Sequence, residues 1–507
     1  MPQKLRSETV EPEPTRMSEA GPARRTRSRT ARSLGFFLWE RRWFVFAILL
    51  GAVLLTLPTP DGLTREGWIT IVISVVSIVL FVAEPVPLPT VALMIIAGQV
   101  LLLGIDSTTV AKSLMNDSVL FIMGSLMLAV AIVKQKLDKR IAYLIVRMTG
   151  TKTVNISFGI ALVSGILASV MGEHTVAAMM LPVALTLITL TSEDPKEVRK
   201  LAAVLLFSIC YGCSIAGIGT PSGGARNAIM VDYWRQFFHD PADPATDIYL
   251  VDYATWIAYC YPIFLIQLPF LTGILYFTFR PRKTNLSRAV VKLRRQIEKE
   301  GSMKLADWLA IFVFLAILLA WITLSDVYGL GTIALIGVVV FLVIGLVRWE
   351  DVNSGVNWGV VLLYAAAISL GVQMKDSGAA LWIANGFLEL LSPLGVDSGL
   401  GLWAAISVLT TGVTNTMSNG AAVAVLGPIT LNMADAAGES PLVIGFVTAV
   451  SSAFAYLTVI GTPACTIVYS SGYLKTTEFL MVGVRMLVVS TVVLLLAAWL
   501  YWPLLPQ

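Results

Sequence analysis

Ser169-Val-Met-Gly-Glu-His-Thr-Val-Ala-Ala-Met-Met-Leu-Pro182 decides how the rest of this chain is read. Apolar runs flank it on both sides, and Glu173 and His174 stand side by side at a glycine in its middle. Ionisable groups are expensive at membrane depth, so such a pair marks a functional site by default. The stretch has an echo in Ser418-Asn-Gly-Ala-Ala-Val-Ala-Val-Leu-Gly-Pro428, again a polar triplet, small apolar residues and a proline. A second echo follows each triplet at a similar distance: Ile218-Gly-Thr-Pro221 and Ile460-Gly-Thr-Pro463. Two matched pairs in the same order describe an internal repeat, each half carrying one polar break and one Gly/Pro break.

Composition sets the class. Of 507 residues, 56% are hydrophobic and 13% charged, and the mean hydropathy is +0.79. A soluble domain carries about 25% charged residues, so this deficit excludes one and predicts an all-α polytopic membrane protein with about eleven transmembrane helices. The net charge of +4 is informative only through its placement. Cys210, Cys213, Cys260 and Cys465 all lie in apolar segments. Cys210 and Cys213 form a C-x-x-C with no second pair and no nearby histidine, which reads as helix packing rather than a metal or redox site. No cleavable signal is visible, since no short apolar core with a cleavage site follows the polar first 35 residues.

Outward from the two breaks, charge orients the chain. Residues 1–42 are too polar to fold alone, and their arginines mark a disordered cytoplasmic tail. Apolar spans are expected at 43–57, 68–83, 88–104 and 118–133, with Pro/Gly turns between them. Four crossings return the chain to the cytoplasm, where Lys134, Lys136, Lys139, Arg140, Arg147 and Lys152 lie as an inside loop requires. Residues 154–191 are too long for one span and have basic residues at both ends, so they read as a re-entrant hairpin entered from inside. Residues 201–231 read as a helix unwound at Gly217 and Gly219-Thr-Pro221, followed by an acidic outer loop that begins at Asp232. The span 255–279 then returns to the most basic segment, the linker 280–304, which joins the halves; the first half is 43–279 and the second 305–502. The second half repeats the plan with spans at 308–324, 331–347 and 358–372, a hairpin at 400–437, a broken helix at 441–469 and a last span at 479–502. Crossing counts bring the second hairpin in from outside, so the repeats are inverted, the N-terminus is cytoplasmic and the C-terminus is outside. Trp43, Trp68, Trp308 and Trp502 read as interface anchors.

Irregular backbone survives in hydrocarbon only where protein buries it or water reaches it. Four breaks paired by a repeat therefore point to one central site. Unwound carbonyls coordinate small cations, and half-helix N-termini present N–H groups and a positive dipole end to an anion. This is how secondary transporters with inverted repeats are built.

With these motifs in place, residues from about 43 to 502 resemble the divalent anion:sodium symporter (DASS) family, whose hallmark is Ser-Asn-Thr at each hairpin tip followed by small residues and proline. Here the second tip is Ser418-Asn419-Gly420 before Pro428, the first is Gly172-Glu173-His174 before Pro182, and Gly219-Thr220-Pro221 and Gly461-Thr462-Pro463 match the family's breaks. The resemblance implies transport of dicarboxylate, citrate or sulfate by an elevator-like movement of the hairpins, in a homodimer, with sodium or a proton as coupling ion and no other cofactor. Taken with the residues that stand at the family's positions here, it leads us to expect the substrate against Glu173, His174, Thr175, Thr220, Arg226, Asn227, Ser418, Asn419, Gly420, Thr462 and Pro463. It places the coupling ion at Gly172, Glu173, Gly219, Asn415, Ser418, Asn419 and Gly461. Two departures stand out. The first tip has lost the family's Ser and Asn, and an ionised Glu173 would repel an anionic substrate, so it is protonated, binds a cation, or the substrate lies elsewhere. Where relatives have Pro-Pro-Asn, this chain has Arg226-Asn227, and the arginine either grips an oxyanion with its fork or snorkels to the interface. Asn415 and Thr416 read equally well as caps of a half-helix.

Other classes fit less well. A different carrier of the same superfamily, for arsenite, phosphate or sodium/proton exchange, is the nearest alternative. An intramembrane enzyme needs a nucleophile–base set or metal ligands, yet His174 and His239 are the only histidines. The implied partners are a small anion and the lipid bilayer of the plasma (inner) membrane, not nucleic acid.

Overall fold

The computed structural model describes residues 41–135, 150–192, 194–281, 286–287, 291 and 304–505. The tail up to residue 40, part of the first basic loop (136–149) and most of the 280–304 linker lie outside the described residues. Everything regular among the described residues is helical, and ten helices are long and apolar enough to cross a membrane. A helix satisfies its backbone groups within its own segment without water, so an apolar chain can span hydrocarbon this way. Polar side chains inside them bond back onto their own turns: Ser74 Oγ donates to Thr70 O at 2.8 Å and Ser77 Oγ to Ile73 O at 2.7 Å.

The first helices are α1 (Arg42–Thr56), α2 (Arg65–Ala83), α3 (Leu88–Leu101), a short α4 (Ser107–Ser113) and α5 (Asp117–Lys134). Hairpin 1 is α6 (Thr153–Met171) and α7 (Glu173–Thr191); the broken helix after it is α8 (Pro195–Ala216) and α9 (Ala225–Phe238); α10 (Tyr253–Phe279) closes the half. The second half contains α11 (Leu305–Tyr328), α12 (Leu330–Val343), a short α13 (Trp349–Gly355), α14 (Trp358–Asp376) and α15 (Ala379–Leu391). Hairpin 2 follows as α16 (Gly399–Thr414) and α17 (Asn419–Ala437), then the broken helix α18 (Pro441–Ser451) and α19 (Pro463–Tyr469), and α20 (Thr476–Leu496).

The repeat shows in the backbone and in the packing. Thr220 sits at φ −140°, ψ 158° and Thr462 at φ −136°, ψ 152°, so the threonines of the two Gly-Thr-Pro turns have the same extended backbone. The second arm of each hairpin packs on the half-helix before its own break and on the half-helix after the other repeat's break: α7 on α8 and α19, α17 on α18 and α9. The halves are thus interlocked at their breaks. An aromatic cluster fastens the same region: Trp234 of α9, Trp256 and Tyr259 of α10, Phe446 of α18 and the buried Trp502.

Three expectations change. Asp232 belongs to α9 and is buried, not the start of an acidic loop, because Asn116 Nδ2 (2.9 Å) and Gln236 Nε2 both donate to its carboxylate. Trp502 is no interface anchor: its ring is enclosed and Nε1 donates to Tyr259 O at 3.0 Å. Helix α15 stands where no element was expected.

Candidate substrate and ion site

At tip 1, α6 and α7 are separated by Gly172 alone, at φ 80° and ψ 145°. That conformation is strained for any residue with a Cβ. It starts α7 with Glu173, whose negative charge suits a helix N-terminus. Glu173 and His174 then part company, because consecutive helical residues point about 100° apart. Glu173 is buried; His174 is exposed and makes no described hydrogen bond or ion pair. The two are neighbours in sequence on different faces of the helix, with Thr175 half-buried beside them.

Glu173 meets Arg226, which lies in the first turn of α9 beyond the first break. Arg226 Nη1 and Glu173 Oε1 are 3.0 Å apart, with side-chain exposures of 4% and 7%. A cation at a helix N-terminus is disfavoured by the dipole, so this enclosed arginine needs the carboxylate. Ser214 Oγ of α8 donates to Glu173 Oε2 at 3.4 Å. Gly217 permits the contact: a Cβ there would stand 2.5 Å from Arg226 Nη2 and 2.9 Å from Glu173 Oε1.

The first break is stapled to the hairpin around this pair. Thr220 Oγ1 and Ser222 Oγ donate to Ser169 O, and Ser169 Oγ donates to Ala216 O at 3.0 Å. Asn227 Nδ2 donates to Gly217 O (2.8 Å) and Thr220 O (2.7 Å), and Trp256 Nε1 to Ile218 O (2.8 Å). The carbonyls freed by unwinding at Ala216, Gly217, Ile218 and Thr220 are therefore taken by the protein. Gly219 lies buried among them.

Tip 2 reaches the same place from the other repeat. In the amide orientation that satisfies both ends of Asn419, Nδ2 donates to Thr414 Oγ1 (2.9 Å) and Ser452 O (3.2 Å), and Oδ1 accepts from Arg226 Nη1 at 3.2 Å. One guanidinium nitrogen thus serves Glu173 of the first repeat and Asn419 of the second. Arg226 Nε and Nη2 are buried and have no protein partner. Tyr364 of α14 covers the tip so closely that a Cβ on Gly420 would lie 2.4 Å from its Cε1.

Other residues sort by their bonds. Ser418 caps α17, accepting from Ala421 N at 3.4 Å. Asn415 is fully used: Nδ2 donates to Thr411 O (2.8 Å) and Phe454 O (3.1 Å), and Oδ1 accepts from Leu457 N (2.9 Å), tying tip 2 to the second break. Thr462 Oγ1 accepts from Cys465 N at 3.2 Å and caps α19. Gly461 is buried while Pro463 and Ile460 are exposed, so the second break is open where the first is closed. The structure thus brings Glu173, Arg226 and Asn419 together, places Asn227 and Thr220 behind them, and turns His174 and Pro463 away. Sequence reasoning passed over Ser169, Ser214, Thr414, Ser452 and Tyr364. Ser169, four residues ahead of Glu173 in the opening stretch, was within its reach; Tyr364 carries no motif. Among the described residues no three His, Cys, Asp or Glu side chains are grouped to hold a metal, and all four cysteines are free.

A family profile described as the sodium:sulfate symporter transmembrane region matches residues 38–507. The chain belongs to this family. Proteins similar to this chain include an uncharacterized transporter of Haemophilus influenzae, 28% identical over 79% of this chain and 84% of its own length. A sodium-dependent high-affinity dicarboxylate transporter of Caenorhabditis elegans is 26% identical over 84% of this chain and 82% of its own. Among solved structures, MtrF of Neisseria gonorrhoeae, described within a class of antimetabolite efflux pumps, shares the fold at TM-score 0.55 and 12% identity, covering 92% of this chain and 95% of that one. The symporter-family chain is thus a multi-pass membrane transporter and not an enzyme.

Proposed function

We propose that this transporter carries divalent anions of the dicarboxylate, citrate or sulfate class across the plasma membrane, coupled to sodium, by an elevator-type movement of its hairpins. Its repeats are residues 43–279 and 305–502, joined by the 280–304 linker. The N-terminus is cytoplasmic and the C-terminus outside, and the working unit is a homodimer. The observation that carries the reading is Arg226. Its Nη1 is shared by the two hairpins, while Nε and Nη2, the edge that fits a carboxylate or sulfate with two parallel bonds, have no protein partner. A positive edge held at the junction of two inverted repeats suits an anion that both repeats must release together. The tip movement that opens the edge also frees Ser418, Asn419 and the exposed second break for the anion and its ion. Sodium as the ion is supported by the dicarboxylate relative's sodium dependence. A second reading, in which a proton replaces sodium, is favoured by the buried carboxylate of Glu173 at a tip where relatives carry Ser and Asn.

The test is uptake of radiolabelled succinate, citrate and sulfate into proteoliposomes, with sodium and proton gradients imposed separately. Sodium-stimulated uptake of one of them is the expected result, and none under any gradient defeats the reading. Proton-driven uptake without sodium that Glu173→Gln removes would favour the second reading. Arg226→Lys keeps the charge but loses the edge, and the half-saturation concentration should rise about tenfold or more.

A further inference from the structure

Outside the central site, a groove of about 680 Å³ opens on the outer surface of the helix bundle between α10 and α20. Pro269, Phe270, Ile274 and Phe277 of α10 form its walls. Phe270 is 50% and Phe277 72% exposed, as side chains that face acyl chains would be. At one end of this apolar trough stand Thr278 and Arg485. Arg485 lies inside one of the ten membrane-spanning helices, is itself exposed, and has no acidic partner among the described residues; its guanidinium donates only to Thr278 Oγ1. An arginine on a spanning helix needs a partner, and here the protein supplies one hydroxyl.

The depth of the polar end says what the partner is. Glu478, in the first turn of α20, pairs with Arg199 at 2.5 Å on the face that the positive-inside rule assigns to the cytoplasm. Arg485 is seven residues further along (485 − 478), about 10 Å at 1.5 Å per residue. Thr278 is the penultimate residue of α10, whose C-cap Arg280 is also exposed. Arg485 therefore lies near the boundary between headgroups and acyl chains of the cytoplasmic leaflet. From Thr278 back to Pro269 the trough runs about 14 Å along the helix, roughly one leaflet of a hydrocarbon core about 30 Å thick.

We propose that this groove is a binding site for one anionic phospholipid, its phosphate on Arg485 and Thr278 and one acyl chain along Pro269, Phe270, Ile274 and Phe277. A free phosphate would leave the apolar wall unused, and a zwitterionic lipid would bring its own cation to an end that already holds Arg485. Anionic headgroups are recognised by basic pockets between helices at the cytoplasmic face. Gly273 keeps the trough open, since a Cβ on it would meet no atom within 4 Å.

The experiment is native mass spectrometry of the purified full chain, released from detergent after titration with dioleoyl phosphatidylglycerol or dioleoyl phosphatidylcholine. The wild type should retain one phosphatidylglycerol with a preference of roughly tenfold, undiminished by excess inorganic phosphate. Arg485→Gln, which can keep the bond to Thr278, should bring phosphatidylglycerol down to the phosphatidylcholine level. Gly273→Leu leaves the charge in place and fills the trough, and should lower retention of both lipids. Equal retention of the two lipids by the wild type overturns the proposal, as does unchanged phosphatidylglycerol retention in either variant or displacement by phosphate. If Gly273→Leu splits a dimer while phosphatidylglycerol stays bound, the groove belongs to a second copy of the chain and the lipid assignment falls.

Discussion

The two hairpin tips occupy equivalent places in the repeat but are built on different chemistry. Tip 1 turns on a single glycine, starts its second arm with a carboxylate, and closes on an arginine beyond its own break. Tip 2 turns through Asn415-Thr416-Met417-Ser418, starts its second arm with the neutral Asn419, and is held by amide and hydroxyl bonds to the second break. Position 468, the counterpart of Arg226 when Thr462 is set on Thr220, is a valine. The first break, with its carbonyls taken and its charge neutralised in place, is a closed structure; the second leaves Ile460 and Pro463 exposed. The difference is one of chemistry: the first repeat holds a charge neutralised in place, and the second holds neutral amide and hydroxyl contacts.

The most damaging way to attack that contrast is Glu173→Ala. It strands Arg226 in an enclosed site, and removing one member of a buried pair costs about 3–5 kcal/mol. Thermal unfolding in detergent should show a large fall, with uptake lost. Replacing both partners together, as Glu173→Leu with Arg226→Met, should restore most of the stability and none of the uptake, because apolar pairs of similar volume substitute well for buried ion pairs. A single variant as stable as the wild type would show that the pair does not hold tip 1.

Gly172→Ala comes next. A Cβ there would have room, its nearest neighbour being His174 Cε1 at 3.6 Å, so the expected cost of about 1–3 kcal/mol is backbone strain alone. No glycine at tip 2 with a positive φ plays this part, and an equal loss on substituting Ser418 would erase the contrast between the tips.

How much of this was legible beforehand depends on the range of the interaction. The repeat, the breaks and the membrane class are written in local signals: Gly-Thr-Pro twice, proline after small residues twice, and too few charges for a soluble domain. Glu173 and Arg226 were each singled out, but their pairing was not, because they stand 53 residues apart and only the fold of the chain at the first break, where Gly217 lies against both, joins them. Adjacency suggested His174 as the partner of Glu173 instead, an inference that the helical turn undoes. Asp232 was misplaced because an acidic residue after an apolar run looks like a loop; its solvation by Asn116, more than a hundred positions earlier, leaves no mark in sequence. Tyr364 over Gly420 is a contact of shape, with no motif to announce it.

Asn419→Ala separates stability from transport. Thr414 keeps its bond to Ser452 O and Arg226 keeps Glu173, so the loss in stability should be near 1 kcal/mol. Uptake should nevertheless vanish, since the only bond from tip 2 to the shared guanidinium is gone. Normal uptake by this variant would make the bridge between repeats incidental.

The smallest expected effect is the most discriminating. Ser418 is half-buried, and its capping bond to Ala421 N is long at 3.4 Å, so Ser418→Ala should cost at most about 1 kcal/mol, and Ser418→Gly only a few tenths. If Ser418 is no more than a cap, sodium dependence should follow stability, with alanine worse than glycine. If its oxygen also contacts the coupling ion, both variants should raise the half-saturation concentration for sodium by a similar factor, because both remove the same oxygen. We expect the second pattern, since the neutral oxygen contacts lie on this tip. Sodium titrations of succinate uptake for both variants, set beside their unfolding midpoints, decide between the two. Sodium dependence unchanged in both variants would mean that tip 2 holds its ion without Ser418.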